Sequence, residues 1–163
     1  MILKDFSRVA EKVMQRGCSM GSGLSAEAIQ SIELIRGITL PEEYRLFINK
    51  FGNGGVGLLG IRKAIAEYNP KVDFVYDESV ICSDEEYNAL RKNSIILCKD
   101  DEGTYVLLAK GEDKGYVWHI TKGVDFVCGG MLYSPDTNEP MGFLEWYEMY
   151  LEEAFYYVKA ASF

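Results

Sequence analysis

His119 is the single histidine of the 163-residue chain, set between Trp118 and Ile120 in an apolar, strand-like run. A histidine beside a thiol could activate it as a nucleophile, and Cys98 and Cys128 are the conceivable attackers. Such a site needs the base within hydrogen-bond reach of the nucleophile and a third group to orient it, and the spacing of these residues supplies neither. A packed or rim histidine is the plainer reading. Metal chemistry fares no better. Cys18, Cys82, Cys98 and Cys128 are scattered, no Cys-x-x-Cys occurs, and one histidine cannot complete a compact ligand set. Buried thiols are expected, with no metal and no cofactor.

Gly52-Asn53-Gly54-Gly55-Val56-Gly57 satisfies the phosphate-loop pattern Gly-x-Gly-x-x-Gly in letters but not in context. A dinucleotide site needs a strand before the glycines and a helix after them, so that the helix N-terminus meets the pyrophosphate. Here a helical pattern precedes and an apolar run follows, which makes the glycines a turn. Asp100-Asp101-Glu102-Gly103 lacks the alternating acids and distant glutamate of a calcium loop. Glu145, Glu148 and Glu152 gather three carboxylates along one helix edge, yet the Glu-x-x-His of a di-iron bundle is missing, so a solvated face is expected.

Charge points towards a protein partner. The net value of -8 hides an uneven division: residues 1 to 63 hold six acids against nine bases, and residues 64 to 163 hold nineteen acids against eight bases. An acidic surface repels nucleic acid and membrane phosphates and attracts basic proteins. Between Val72 and Tyr87, Asp73, Asp77, Glu78, Asp84, Glu85 and Glu86 occur with no Lys or Arg among them. The stretch is either an exposed loop or a docking surface for a basic partner, and Trp118 is a further candidate contact. The eight Phe, eleven Tyr and two Trp residues fall mostly in apolar stripes, and base-stacking platforms come with basic surfaces.

Around these residues the chain divides into helices, then strands, then a final helix. Ile2, Leu3, Phe6, Val9, Ala10, Val13 and Met14 recur at helical spacing up to Gly17. Ser25 can cap a second helix carrying Ala28, Ile29, Ile32, Leu34 and Ile35 as far as Gly37. A third follows, with Thr39 and Glu42 as a capping box, Pro41 in the first turn, and Tyr44, Phe47, Ile48 and Phe51 on one face. Gly52 ends it, and Val56 to Leu59 reads as a strand. Ser83 and Glu86 open a short helix with Tyr87 and Leu90 inward. Ile95 to Cys98, Thr104 to Ala109, Tyr116 to Ile120, Val124 to Val127 and Met131 to Tyr133 read as strands, the last two divided by Gly129-Gly130. The final helix carries Phe143, Tyr147, Tyr150, Leu151, Ala154, Phe155 and Val158 on one face.

The third helix also carries a resemblance. Leu40-Pro41-x-x-Tyr44-x-x-Phe47, followed by Gly52-x-Gly54-Gly55, is similar to the signature of the SUKH superfamily, which includes the fungal Smi and Knr cell-wall regulators and many bacterial immunity proteins. Weaker echoes continue in Gly103 to Leu108, Gly115 to Trp118 and Gly142 to Trp146, so the likeness covers most of the chain from about Leu24. It implies an α+β domain, with an antiparallel sheet of about five to six strands packed by N-terminal and C-terminal helices. The whole of residues 1–163 then forms one domain, with 1–23 as an N-terminal helix and connector and 24–163 as the core. It further implies a non-catalytic cytoplasmic protein that neutralises a cognate toxin, often a nuclease. A regulatory adaptor of the fungal type is the alternative, and a hydrolase using His119 and a cysteine is a third. The early charges Lys4 and Asp5 do not fit a signal peptide, and no run reaches the ~18 apolar residues of a membrane span.

Overall fold

The computed structural model describes residues 2–15, 23–51, 90–99, 103–122 and 127–150. Three helices come first: α1 (Ile2–Gln15), α2 (Ala26–Arg36) and α3 (Glu42–Lys50). Strands β1 (Ser94–Lys99), β2 (Thr104–Leu108), β3 (Val117–Lys122) and β4 (Val127–Met131) follow, and residues 143–150 form helix α4. The architecture is α+β, as the sequence implies.

The ends of α2 follow the sequence closely. The Ser25 hydroxyl accepts from the Ala28 N–H at 3.2 Å, and Gly37 takes up the left-handed conformation at φ 62°. The N–H groups of Gly37 and Ile38 then return to the carbonyls of Leu34 and Glu33, which satisfies two acceptors the helix end would otherwise leave open. The start of α3 differs from expectation. Its N-cap is Pro41, which has no side-chain acceptor to offer, and the Thr39–Glu42 capping box is not formed. Glu33 of α2 takes over part of that task. Its Oε1 accepts the Leu40 N–H at 2.8 Å while Oε2 lies 3.4 Å from the Arg45 guanidinium, so one carboxylate ties α2 to the entry of α3.

The strands form one antiparallel sheet in the order β1-β2-β3-β4, each paired to its sequence neighbour. Four strands are present among the described residues; the expected strand at Val56 to Leu59 lies outside them, as do Gly52, Gly54 and Gly55. Gly129 and Gly130 do not divide two strands. They sit inside β4 opposite Ile120 and His119, because the residues flanking them keep a continuous ladder from Lys122↔Val127 to Trp118↔Met131. Between Ile96 and Cys98 a bulge inserts one residue into β1. Alternation is broken there, and Leu97 and Cys98, though adjacent, both join the core on the helix side.

Within that core the aromatic rings cluster. Phe47 lies at its centre, with ring centroids 5.1 Å from Phe143, 5.5 Å from Tyr147, 5.8 Å from Phe51 and 6.1 Å from Phe6. Several of these contacts are edge-to-face, the arrangement that aligns a positive ring edge with a negative ring face. Tyr44 is wholly buried beside Phe143, and burial pushes its hydroxyl pKa far up, so the phenol stays neutral. Leu40, Pro41, Tyr44 and Phe47 are all buried. On α4 the buried set is Phe143, Leu144, Trp146 and Tyr147, with Tyr150 half-buried. The stripe shifts towards Trp146 relative to the expected one.

Candidate functional site

The register of the sheet decides what the chemically capable side chains can do. Cys98 of β1 pairs with Tyr105 of β2, which pairs with His119 of β3, which pairs with Gly130 of β4. With strands about 4.8 Å apart, Cys98 and His119 are separated by two strand spacings and by the Tyr105 ring. No nucleophile–base contact is possible across that gap. The His119 ring instead lies against Tyr105 at 4.5 Å, and its Nε2 is shielded with no hydrogen-bond partner. Gly103 closes over it. A Cβ at that position would come 2.8 Å from His119 Nε2 and press into the Ile120 carbonyl oxygen. The packed-histidine reading matches this arrangement.

The neighbouring row, Ile96↔Val106↔Trp118↔Met131, faces the other way. Val106 and Ile120 are buried there, with Ile96, Trp118 and Leu90 packed against them as a second, smaller cluster. Trp118 is half-buried on this second face, its indole N–H shielded and without an acceptor. It stands on the side of the sheet opposite the helix-side aromatic core. Asp73, Asp77, Glu78, Asp84, Glu85 and Glu86 lie outside the described residues.

Two features escaped the sequence pattern. Glu148, expected on a solvated edge, is only 19% exposed at its side chain and meets α1: Arg8 reaches Oε2 at 2.7 Å and Lys12 bonds Oε1. Burial works to raise its carboxyl pKa, but the hydrogen bonds and charges of Lys12 and Arg8 outweigh that and hold it below the ordinary value. Glu145 does remain exposed, and Glu152 lies outside the described residues. The second feature is on α2. Ile29 and Ile32 point into the core, whereas Leu34 and Ile35 are 84% and 76% exposed. Leu34 lines a groove of about 520 Å³ between α2 and the turn that follows β2.

Among the described residues no group of three or more His, Cys, Asp or Glu converges as a metal-ligand set, and no helix is long and apolar enough to cross a membrane. The fold and surface together define an α+β domain of consecutive antiparallel strands, with helices from either side of the sheet region in the chain packed on one face. The sequence model of the SMI1 / KNR4 family (SUKH-1) matches residues 23–163, and the chain belongs to that family. No curated protein matches it. Helix α1 precedes the matched residues and is attached to them through Phe6, Val9, Ala10 and the Glu148 ion pairs.

Proposed function

We propose that the chain is a non-catalytic binding protein of the cytoplasm that neutralises a cognate protein toxin, the toxin being basic. The observation that carries this reading is the sheet register, which sets Tyr105 between Cys98 and His119 and keeps the two side chains apart. Membership of the family supports it from a second direction, because the SUKH resemblance extends to bacterial immunity proteins. An inhibitor of this kind acts by occupying its target. It needs a complementary surface and no reacting group.

A nuclease is the partner class most easily served by an acidic inhibitor, since its substrate cleft is positive for its own reasons. Asp73, Asp77, Glu78, Asp84, Glu85 and Glu86 are the acids assigned to that contact, with Trp118 as an apolar contributor. Exposed interface charges act mainly on association rate, while desolvated ones act on dissociation. The test is to co-express the chain with the protein encoded beside it, recover the complex, and replace Asp73, Asp77, Glu78 and Asp84 by Lys one at a time. Slower association at low salt, converging with the parent at high salt, supports the assignment. Association as fast as the parent in all four variants removes the acidic stretch from the interface. Failure of the chain to protect cells from any neighbouring product removes the immunity reading itself.

A further inference from the structure

We propose that the groove between α2 and the turn at 109–114 is a docking site for an acidic protein segment that carries an aliphatic anchor. The inference is independent of the toxin reading and rests on other residues than the acidic stretch.

Three observations converge on it. The first is the pair Leu34 and Ile35, adjacent on the solvent side of α2 and 84% and 76% exposed. Single exposed aliphatics are ordinary on protein surfaces, but Leu34 stands at a concavity and has a second exposed aliphatic next to it in the helix. Leu34 itself lines the groove, and Ile38 and Ala109 form its floor as buried core residues. At about 520 Å³ the space accommodates a few side chains of a bound segment.

The second observation is charge. Lys110 and Lys114 line the groove, both exposed, and neither ammonium makes an ion pair among the described residues. Exposed Lys92 lies close by, since the Asn93 carbonyl that follows it accepts the Ala109 N–H at 2.7 Å. The described lining thus carries two ammonium groups against one carboxylate, on a chain of net charge -8. Among the described residues Glu33 is the one carboxylate lining the groove, and it has both oxygens engaged, one by the Leu40 N–H and the other by Arg45. Glu112 and Asp113, in the same turn, are not among the lining residues.

The third observation concerns the end of α2. Helix C-termini carry exposed carbonyls that disfavour anions. Here the Leu34 and Glu33 carbonyls are taken by the Gly37 and Ile38 N–H groups, and the Arg36 guanidinium reaches across to the Ser94 carbonyl at 2.7 Å. The negative end of the helix is therefore muted where the ligand's carboxylates would approach. Because the whole-molecule field repels an acidic partner, binding must come from short-range contact, with an aliphatic side chain beside Leu34 and carboxylates at Lys110 and Lys114.

The probe is a synthetic peptide of about 12 residues, two adjoining leucines flanked by glutamates, titrated into the isotope-labelled full chain and followed by amide chemical shifts. Shifts confined to residues 30–38 and 109–115 are expected. The Lys110→Glu, Lys114→Glu double variant should weaken binding at least about tenfold, and so should Leu34→Ser with Ile35→Ser. All four positions are exposed, so unchanged thermal melting will show that the variants fold. A leucine-to-alanine peptide should bind more weakly, and a lysine-for-glutamate peptide should leave these amides unmoved. The proposal is overturned if the acidic peptide produces no shifts, shifts amides elsewhere, or binds the lysine variants as well as the parent. It is overturned equally if the groove amides broaden with protein concentration alone, which would give the site to a second copy of the chain.

Discussion

The Glu43 carboxylate of α3 accepts the Leu144 backbone N–H of α4 at 2.7 Å, so one helix supplies the N-terminal cap of another 101 residues away in sequence. A carboxylate at that position satisfies an otherwise open donor and meets the positive end of the helix dipole. Glu43→Ala should destabilise the domain by about 1 to 2 kcal/mol, as loss of other caps does. Glu43→Gln should cost less, because the amide oxygen still accepts. Urea unfolding of the two variants checks this ordering, and equal losses would mean that the charge and not the hydrogen bond matters.

Phe47 touches rings from α1, α3 and α4, and its truncation opens a cavity that none of them can fill alone. Phe47→Ala is expected to cost about 3 to 5 kcal/mol. Phe6→Ala should fall in the same range, since Phe6 is also fully buried. The double variant should be less destabilised than the sum, by about 0.5 to 1.5 kcal/mol, through the shared ring contact at 6.1 Å. Additive losses in chemical denaturation would show that α1 packs independently of α3.

The Glu148 ion pairs make the docking of α1 sensitive to acid. The folded-state carboxyl pKa is depressed, so its stabilisation is fully present above the ordinary value of 4.5 and is lost as pH falls through the lower folded value. Glu148→Gln should cost about 1 kcal/mol at neutral pH, the range for partly exposed ion pairs, and the variant should lose less stability between pH 5 and about pH 3 than the parent. Thermal melts across that interval are the measurement. Parallel curves for the two proteins would assign the acid sensitivity to other carboxylates.

His119→Ala should leave partner binding unchanged while lowering stability, because the ring packs on Tyr105 and touches no reacting group. Gly103→Ala is expected to cost about 1 to 3 kcal/mol, since the added methyl must displace the Ile120 carbonyl or the His119 ring. Combining the two should recover part of the Gly103 loss if the ring is the principal obstacle. No recovery would place the strain on the Ile120 backbone.

Local signals were legible in the sequence where the partner of each group is close along the chain. Ser25 caps Ala28 three residues on, Gly37 closes α2, and the Tyr44, Phe47 and Ile48 stripe is buried as its spacing requires. The misreadings involve distant partners. Thr39 and Glu42 have the letters of a capping box, but Glu33 of the preceding helix reaches the Leu40 N–H and Pro41 becomes the cap. Glu148 looked solvated because Arg8 and Lys12 stand 140 and 136 residues away. Gly129-Gly130 read as a break, since ladder pairing from β3 leaves no trace in the sequence of β4. The apolar residues of α2 do not share one face: Ile29 and Ile32 meet the core, whereas Leu34 and Ile35 are exposed.

The long separation between Arg8 and Glu148 has a consequence for how the chain is made. On the ribosome, at about 5 to 20 residues per second, α1 waits roughly 7 to 28 s for its ion-pair partner to be synthesised. Among the described residues, strands β1 to β4 each pair with a sequence neighbour and need no such delay. The nascent protein therefore holds the apolar stripe of α1, and Phe47 behind it, without their α4 cover throughout elongation of the sheet. Vectorial synthesis thus makes α1 emerge before α2, α3 and α4 yet wait for α4 to complete its packing, the interval in which a chaperone would engage it.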